Sequence, residues 1–113
     1  MGYTTEFRGT FELSRPLSRE EHTELERFSE TRHDDEMMPG IWCDWAPTRD
    51  GRGIEWNGSA KFYDYVGWLE FIMDHFLDEW GITLSGTVKY RGEDFDDAGT
   101  ITVEDGKVTQ NSW

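Results

Sequence analysis

The chain has little positive charge, with 11 Lys and Arg against 24 Asp and Glu, a net charge of −13 over 113 residues. Binding to nucleic acid or to anionic lipid depends on Lys and Arg side chains that neutralise phosphates. This scarcity therefore argues against direct binding to either. A surface of this charge favours a basic partner instead.

Cysteine is nearly absent, since Cys43 is the one cysteine in the sequence. A single cysteine excludes a disulfide framework within the chain, so the fold does not require an oxidising compartment. No apolar run approaches the roughly 18 to 20 residues that cross a bilayer, and the first residues lack the pattern of a signal peptide. The sequence predicts a cytoplasmic protein that does not bind membranes.

Large apolar side chains are abundant despite the charge, with six Trp, seven Phe and four Tyr. Disordered acidic chains lack such residues, so this chain is expected to fold. A chain of this size buries roughly two thirds of its unfolded surface without disulfides or metals. No repeat or linker divides it, which predicts one domain over residues 1–113.

Hydrophobic periodicity predicts six elements followed by a hairpin. Helices are predicted at residues 18–32, opened by a capping box of Ser18 and Glu21, and at residues 60–79, where apolar residues recur every three or four positions. The predicted strands cover residues 3–13, 41–46, 54–56, 82–91, 100–104 and 107–110. This order predicts an α+β fold: a ferredoxin-like βαββαβ unit with two helices on one face of an antiparallel sheet and an additional C-terminal β-hairpin.

Acidic residues concentrate between residues 18 and 36. As a continuous helix this stretch would span roughly 28 Å, with an acid about every 3.5 Å, close to the roughly 3.4 Å phosphate spacing of one DNA strand. Arg19, Arg27 and Arg32 dilute the charge, and a solvated helix face is the alternative interpretation. The candidate partner-binding residues in this stretch are Glu20, Glu24, Glu30, Asp34, Asp35 and Glu36.

Two tryptophans near the middle of the chain are further partner-binding candidates. Trp42 and Trp45 point to opposite faces of a strand and cannot both enter one core, so one of them is expected at the surface. An exposed Trp is typical of binding hot spots, although a loop or the extra hairpin would also cover it. Cys43 has no base or helix N-terminus beside it and is expected to be a buried structural thiol.

No motif assigns a catalytic residue, metal ligand or cofactor. Residues 94–105 partly copy a calcium loop, but Asp105 stands where Glu belongs, Ala98 is no ligand, and strands flank the loop. His22 and His75 lack a paired Ser or Cys motif. A metal-dependent enzyme built around residues 94–97 is one of the alternatives that the sequence leaves open.

Five strings of the sequence resemble a family of small bacterial and bacteriophage proteins. The strings are GYTTEF at residues 2–7, WCDW at 42–45, IEWNG at 54–58, KFYDYV at 61–66 and DHFL at 74–77. Members of the family often carry a longer insertion where this chain has residues 33–40. The resemblance implies a bacteriophage context and transfers no catalytic or binding residue.

These observations favour a non-enzymatic acidic binding protein, a phage-encoded inhibitor that occupies a basic, nucleic-acid-binding surface on a host defence protein such as a CRISPR effector. The alternative from another class is a structural module that self-associates through a sheet edge, because residues 107–110 carry little charge to prevent pairing. The sequence leaves the partner and the oligomeric state open.

Overall fold

The computed structural model describes residues 3–113 as an antiparallel sheet of seven strands with two helical segments. The strands are β1 (Glu6–Arg8), β2 (Phe11–Leu13), β3 (Trp45–Pro47), β4 (Gly53–Trp56), β5 (Leu84–Arg91), β6 (Ala98–Glu104) and β7 (Lys107–Ser112). The first helical segment is α1 (Arg19–Glu30), and the second joins α2 (Tyr65–Ile72), a π-helical turn (Met73–Leu77) and α3 (Asp78–Trp80). The predicted α+β class is confirmed.

The strands lie in the order β3-β4-β2-β5-β6-β7, with β1 also paired to β5. Every pairing is antiparallel. β6 and β7 are joined by Asp105 and Gly106, whose positive φ angles of 51° and 77° suit a tight turn. The strand order places short β3 at one edge of the sheet and longer β7 at the other.

The strand predicted over residues 3–13 is divided in two. Gly9 adopts a φ of +116° between β1 and β2, a conformation that a side chain would strain. Both halves nevertheless pair with β5 in the same register, since Phe7 lies opposite Tyr90 and Glu12 opposite Ser85. The predicted alternation therefore holds on both sides of an interrupted strand.

The helix predicted over residues 60–79 begins later, at Tyr65. Lys61 and Asp64 have positive φ angles, so residues 60–64 cannot continue a helix, and the Asp64 side chain caps the first turn by accepting from the Gly67 N–H. Within the segment, the Asp78 N–H donates to the Met73 carbonyl, five residues back, which marks the π-helical turn.

The strand predicted over residues 41–46 is also shorter than expected, because only Trp45 and Ala46 of that range belong to β3. The Ile41 carbonyl accepts from the His33 N–H and the Asp44 carbonyl from the Asn57 N–H, so loop contacts satisfy these groups outside the sheet. Residues 41–44 form a loop that lies between the end of α1 and the segment after β4.

One hydrophobic core joins the sheet and both helical segments. Phe7 lies at its centre and makes edge-on aromatic contacts with Trp45, Trp56, Phe62 and Tyr65 at centroid distances of 5.0 to 5.8 Å. Such pairs add to the stabilisation that burial alone provides. No helix in residues 3–113 is long and apolar enough to cross a bilayer.

Tyr3 contacts the connection between β5 and β6, and Trp113 contacts the first residue of β6. The Tyr3 hydroxyl donates to Asp97 Oδ2 at 2.6 Å and accepts from the Asp94 N–H at 2.9 Å. The Trp113 N–H donates to the Ala98 carbonyl at 2.9 Å. Tyr3 and Trp113 thus contact neighbouring residues, Asp97 and Ala98.

Candidate functional site

The outer face of α1 carries exposed carboxylates. The capping box predicted at Ser18 and Glu21 forms, and Leu25 and Ser29 are the buried residues of the helix. Glu20, Glu24 and Glu30 are exposed, and none of them belongs to an ion pair in the described residues. These three residues are here called the α1 acids.

Glu21 differs from the α1 acids because Arg15 holds it in a bidentate ion pair at 2.9 and 3.0 Å. This pairing and the Ser18 N–H lower the pKa of Glu21 to about 2, against a smaller opposing effect of burial. Glu21 therefore stabilises the start of the helix and is not available to a partner.

The acids at residues 34–36 lie beyond the helix, which ends at Glu30. The expectation of evenly spaced acids along one axis through residue 36 is therefore wrong, because the Thr31 backbone is extended. Asp34 pairs with Arg32 at 2.9 Å, and Asp35 accepts from the Met37 N–H at 2.9 Å in a turn. Asp34, Asp35 and Glu36 are all exposed, so they remain accessible to a partner.

The two candidate tryptophans take opposite positions. Trp45 is 1% exposed and its Nε1–H donates to the Tyr65 carbonyl at 2.8 Å, so it belongs to the core and cannot meet a partner. Trp42 is 46% exposed. The expectation that one of the pair reaches the surface is met by Trp42.

Cys43, between them, is fully buried, as predicted. Burial is the main cause that raises the pKa of its thiol to about 12. The thiol donates to the Trp45 carbonyl at 3.7 Å. A thiol in this environment does not ionise near neutral pH and serves packing.

Trp42 borders a surface cleft of about 430 Å³, here called the Trp42 cleft. The end of α1, the 41–44 loop and the segment after β4 meet there. Its lining residues are Ser29, Glu30, Trp42, Asp44, Asn57, Ser59 and Ala60. The structure therefore brings together two of the predicted residues, Glu30 and Trp42, with several that the sequence pattern did not indicate.

Asp44 is the unusual residue of this cleft, since it is a carboxylic acid that is only 4% exposed. Burial raises the pKa of Asp44 to about 6, and an interaction with the Asn57 side chain partly offsets that effect. Among the groups that shift the pKa of Asp44, the Asn57 side chain is the one that stabilises the charged carboxylate, and none of them is a cation. A buried carboxylate in this position is poorly compensated.

A short network of hydrogen bonds shapes the wall opposite α1. Asn57 Oδ1 accepts from the Ser59 N–H at 2.9 Å, which leaves the amide NH2 of Asn57 for Asp44. The Asn57 N–H donates to the Asp44 carbonyl at 2.9 Å, and Trp56 Nε1–H donates to the Ser59 carbonyl at 3.0 Å. The cleft wall is therefore ordered by contacts within the chain.

Residues 94–97 are the other acidic region that the sequence singled out. Here the Asp97 carboxylate and the Asp94 N–H both bind the Tyr3 hydroxyl, so these contacts give the region a structural role. Within residues 3–113, no group of three or more His, Cys, Asp and Glu side chains is arranged to hold a metal ion. His22 Nε2–H donates to the Thr48 carbonyl at 2.9 Å, and the His75 ring stacks on Phe71.

Sequence reasoning missed Asp44, Asn57 and Ser59 as site residues. The signal at Asp44 was a lone charge between Cys43 and Trp45, inside a segment that otherwise reads as buried. Asn57 carried no such signal, because the Asn57-Gly58 pair reads as an ordinary turn.

Comparisons of the chain with models of protein families, with curated proteins and with solved structures gave no match.

Proposed function

We propose that this protein is a non-enzymatic, acidic binding protein: a phage-encoded inhibitor that occupies a basic, nucleic-acid-binding surface of a host defence protein, such as a CRISPR effector, in the cytoplasm. The observation that carries the proposal is the exposure of the α1 acids, one of which, Glu30, shares a cleft with the exposed Trp42. Glu30 belongs to both features, since it lies on α1 and lines the Trp42 cleft.

Electrostatics support this role. The net charge of −13 creates a long-range field that speeds encounter with a basic groove. Salt screens exposed charges over about 8 Å at physiological ionic strength, so such an interaction weakens as salt is added. The half-exposed Trp42 adds apolar contact area to an otherwise polar interface.

A competition assay tests the proposal. A labelled DNA duplex bound to a purified Cas9-type effector is titrated with the protein, and displacement is followed by fluorescence anisotropy at increasing salt. We expect the triple variant Glu20→Lys, Glu24→Lys, Glu30→Lys to lose about tenfold or more in competing strength, because three attractive contacts become repulsive.

The matched control is the triple variant Glu70→Lys, Glu79→Lys, Glu104→Lys, which changes the net charge equally at exposed sites on other elements. It should retain most of the competing strength. Equal losses in the two variants would show that only net charge matters, and an absence of displacement across a panel of effectors would refute the proposed function.

A second candidate function, self-association through β7, is favoured by the edge of the sheet. β7 has six residues, pairs with β6 alone in the described chain, and contains Lys107 as its one charged residue and no proline. Such an edge can pair with a second copy. Light scattering over a concentration series tests this alternative, and a strict monomer would refute it.

We also propose that the chain is one domain with a ferredoxin-like βαββαβ unit, extended by a C-terminal hairpin of β6 and β7. Supporting this assignment, β3, β4, β2 and β5 lie side by side in that order, with α1 and the second helical segment as the two crossovers. The single core supports the single domain.

A further inference from the structure

The Trp42 cleft combines three features that suit a positively charged group. Both charged side chains that line it, Glu30 and Asp44, are carboxylates. The end of α1 forms one wall, and the last carbonyl groups of a helix carry partial negative charge. The indole of Trp42 is half exposed, so a planar group in the cleft can reach it.

Asp44 gives the strongest indication of a ligand. The residue is 4% exposed and lines the cleft, and an acid buried to this extent normally has a cation or several N–H donors beside its carboxylate. Here the Asn57 side chain is the one group that stabilises the charge. A cation entering the cleft would supply the missing partner.

We propose that the Trp42 cleft is a receptor site for an arginine side chain of the basic partner. This inference rests on the proposed function, and it names the chemical group that the acidic protein recognises. The guanidinium stacks on the Trp42 indole and donates hydrogen bonds to Asp44 and Glu30.

Arginine fits this site better than lysine does. The guanidinium group is planar, so it stacks on an aromatic face while its N–H donors reach carboxylates in the same plane. Ser59 also lines the cleft, and its hydroxyl oxygen can accept from those donors. A lysine ammonium makes point contacts and stacks less well.

Binding should also depend on pH. Glu30 on α1 is the other titratable group that lines the cleft, while Asn57 and Ser59 after β4 are neutral. Because the pKa of Asp44 is about 6 in the empty cleft, its charged form becomes dominant only above that pH. Arginine binding should therefore strengthen as the pH rises from 5 to 7.

The test is an NMR titration of the ¹⁵N-labelled full chain with the peptide acetyl-GRGRGRG-amide at about 50 mM NaCl, where screening is moderate. We expect saturable shifts of the Trp42 indole N–H and the Asn57 side-chain amide. The matching lysine peptide should bind several-fold more weakly, and a peptide with citrulline in place of arginine should not bind.

Four variants locate the contact. Asp44→Asn and Trp42→Leu should each weaken arginine-peptide binding by about tenfold, the typical size of one charge-assisted or stacking contact. Glu104→Gln removes one exposed acid elsewhere, and Trp113→Leu removes another exposed Trp; each should change affinity less than about twofold. Retained dispersion of the NMR spectrum verifies folding of each variant.

The outcomes separate this inference from the proposed function. Shifts confined to α1, with Trp42 unaffected, would overturn the arginine site while leaving the acidic inhibitor intact. Equal binding by Asp44→Asn and the unmodified protein would also overturn it. Trp42 shifts that persist when the effector competition fails would support the arginine site and refute the proposed partner.

Discussion

Asp44 shows how one buried carboxyl group couples the stability of this protein to pH. The pKa of Asp44 is about 6 in the folded chain because burial disfavours its charge, whereas an unfolded Asp titrates near its ordinary value of 3.8. The folded state thus holds the proton more tightly. Its contribution to stability is fully present below pH 3.8 and is lost as the pH rises through 6.

Replacement of this residue should stabilise the protein at neutral pH. Asp44→Asn keeps the shape and removes the charge, so we expect the free energy of unfolding to rise by about 1 to 2 kcal/mol at pH 7 and to change little near pH 3.5. Urea unfolding at the two pH values measures this difference. Asp96→Asn, at an exposed site, is the control and should have no comparable effect.

A failure of Asp44→Asn to gain stability at pH 7 would mean that the Asn57 contact already compensates the charge. A gain in stability that accompanies a loss of arginine binding would identify Asp44 as a residue kept for function at a cost in stability.

At the scale of one element, the start of α1 depends on Glu21. This side chain accepts from the Ser18 N–H at 2.8 Å and pairs with Arg15, which in turn donates to the Trp80 carbonyl. The capping box therefore also ties the helix to the end of α3.

Glu21→Ala should lower the free energy of unfolding by about 1 kcal/mol, because it leaves a helix N–H without its acceptor. Glu24→Ala is the matched control, since it removes the same charge from the exposed face of the same helix. Urea titration of both variants at pH 7 gives the comparison. Equal stability of the two would contradict the role assigned to the cap.

The pH dependence provides a second readout of the same variant. The pKa of Glu21 is lowered to about 2, so its stabilising contribution is present above its ordinary value of 4.5 and is lost as the pH falls towards 2. The difference between Glu21→Ala and the unmodified protein should therefore shrink over that range.

The features that could be predicted from sequence are those determined by residues close together along the chain. Ser18 and Glu21 act within one helical turn, and Asp105-Gly106 is a two-residue turn signal, so both could be recognised directly. The start of the second helix was predicted too early because apolar periodicity extends back to Phe62, although Asp64 is a residue type that favours the N-cap position. The positive φ angle of Lys61 has no signature in its residue type.

The Trp42 cleft could be predicted only in part. Spacing indicated that Trp42 or Trp45 would be exposed, but the choice depended on which of them packs against Phe7 and Phe11. Glu30, Asp44 and Asn57 meet through the packing of three separate segments. No local sequence pattern predicts that these three residues line the same cleft.

At the scale of the whole molecule, most of the negative charge is uncompensated. The ion pairs found in the described residues are Arg15–Glu21 and Arg32–Asp34, against a net charge of −13. Mutual repulsion among the remaining acids opposes the folded state, and salt screens it.

Raising NaCl from about 10 to 200 mM at pH 7 should increase Tm by roughly 4 °C, the shift expected for about 1 kcal/mol in a chain of this size. Calorimetry measures it. The same series near pH 4.5 is the control, because protonation of many carboxylates removes the repulsion and should leave little salt dependence. A fall in Tm with salt at pH 7 would show that attractive pairs outweigh repulsion.

The contacts of Tyr3 with Asp97 and of Trp113 with Ala98 suggest a change in chain connectivity that the fold would tolerate. Because Tyr3 binds Asp97 and Trp113 binds the adjacent Ala98, we expect a glycine linker from Trp113 to Tyr3 to leave the strand pairings intact. The chain can then be opened at the exposed Asp105-Gly106 turn. In the resulting circular permutant each strand would keep its neighbours in the sheet. β7 would then be the first strand of the polypeptide and β6 the last.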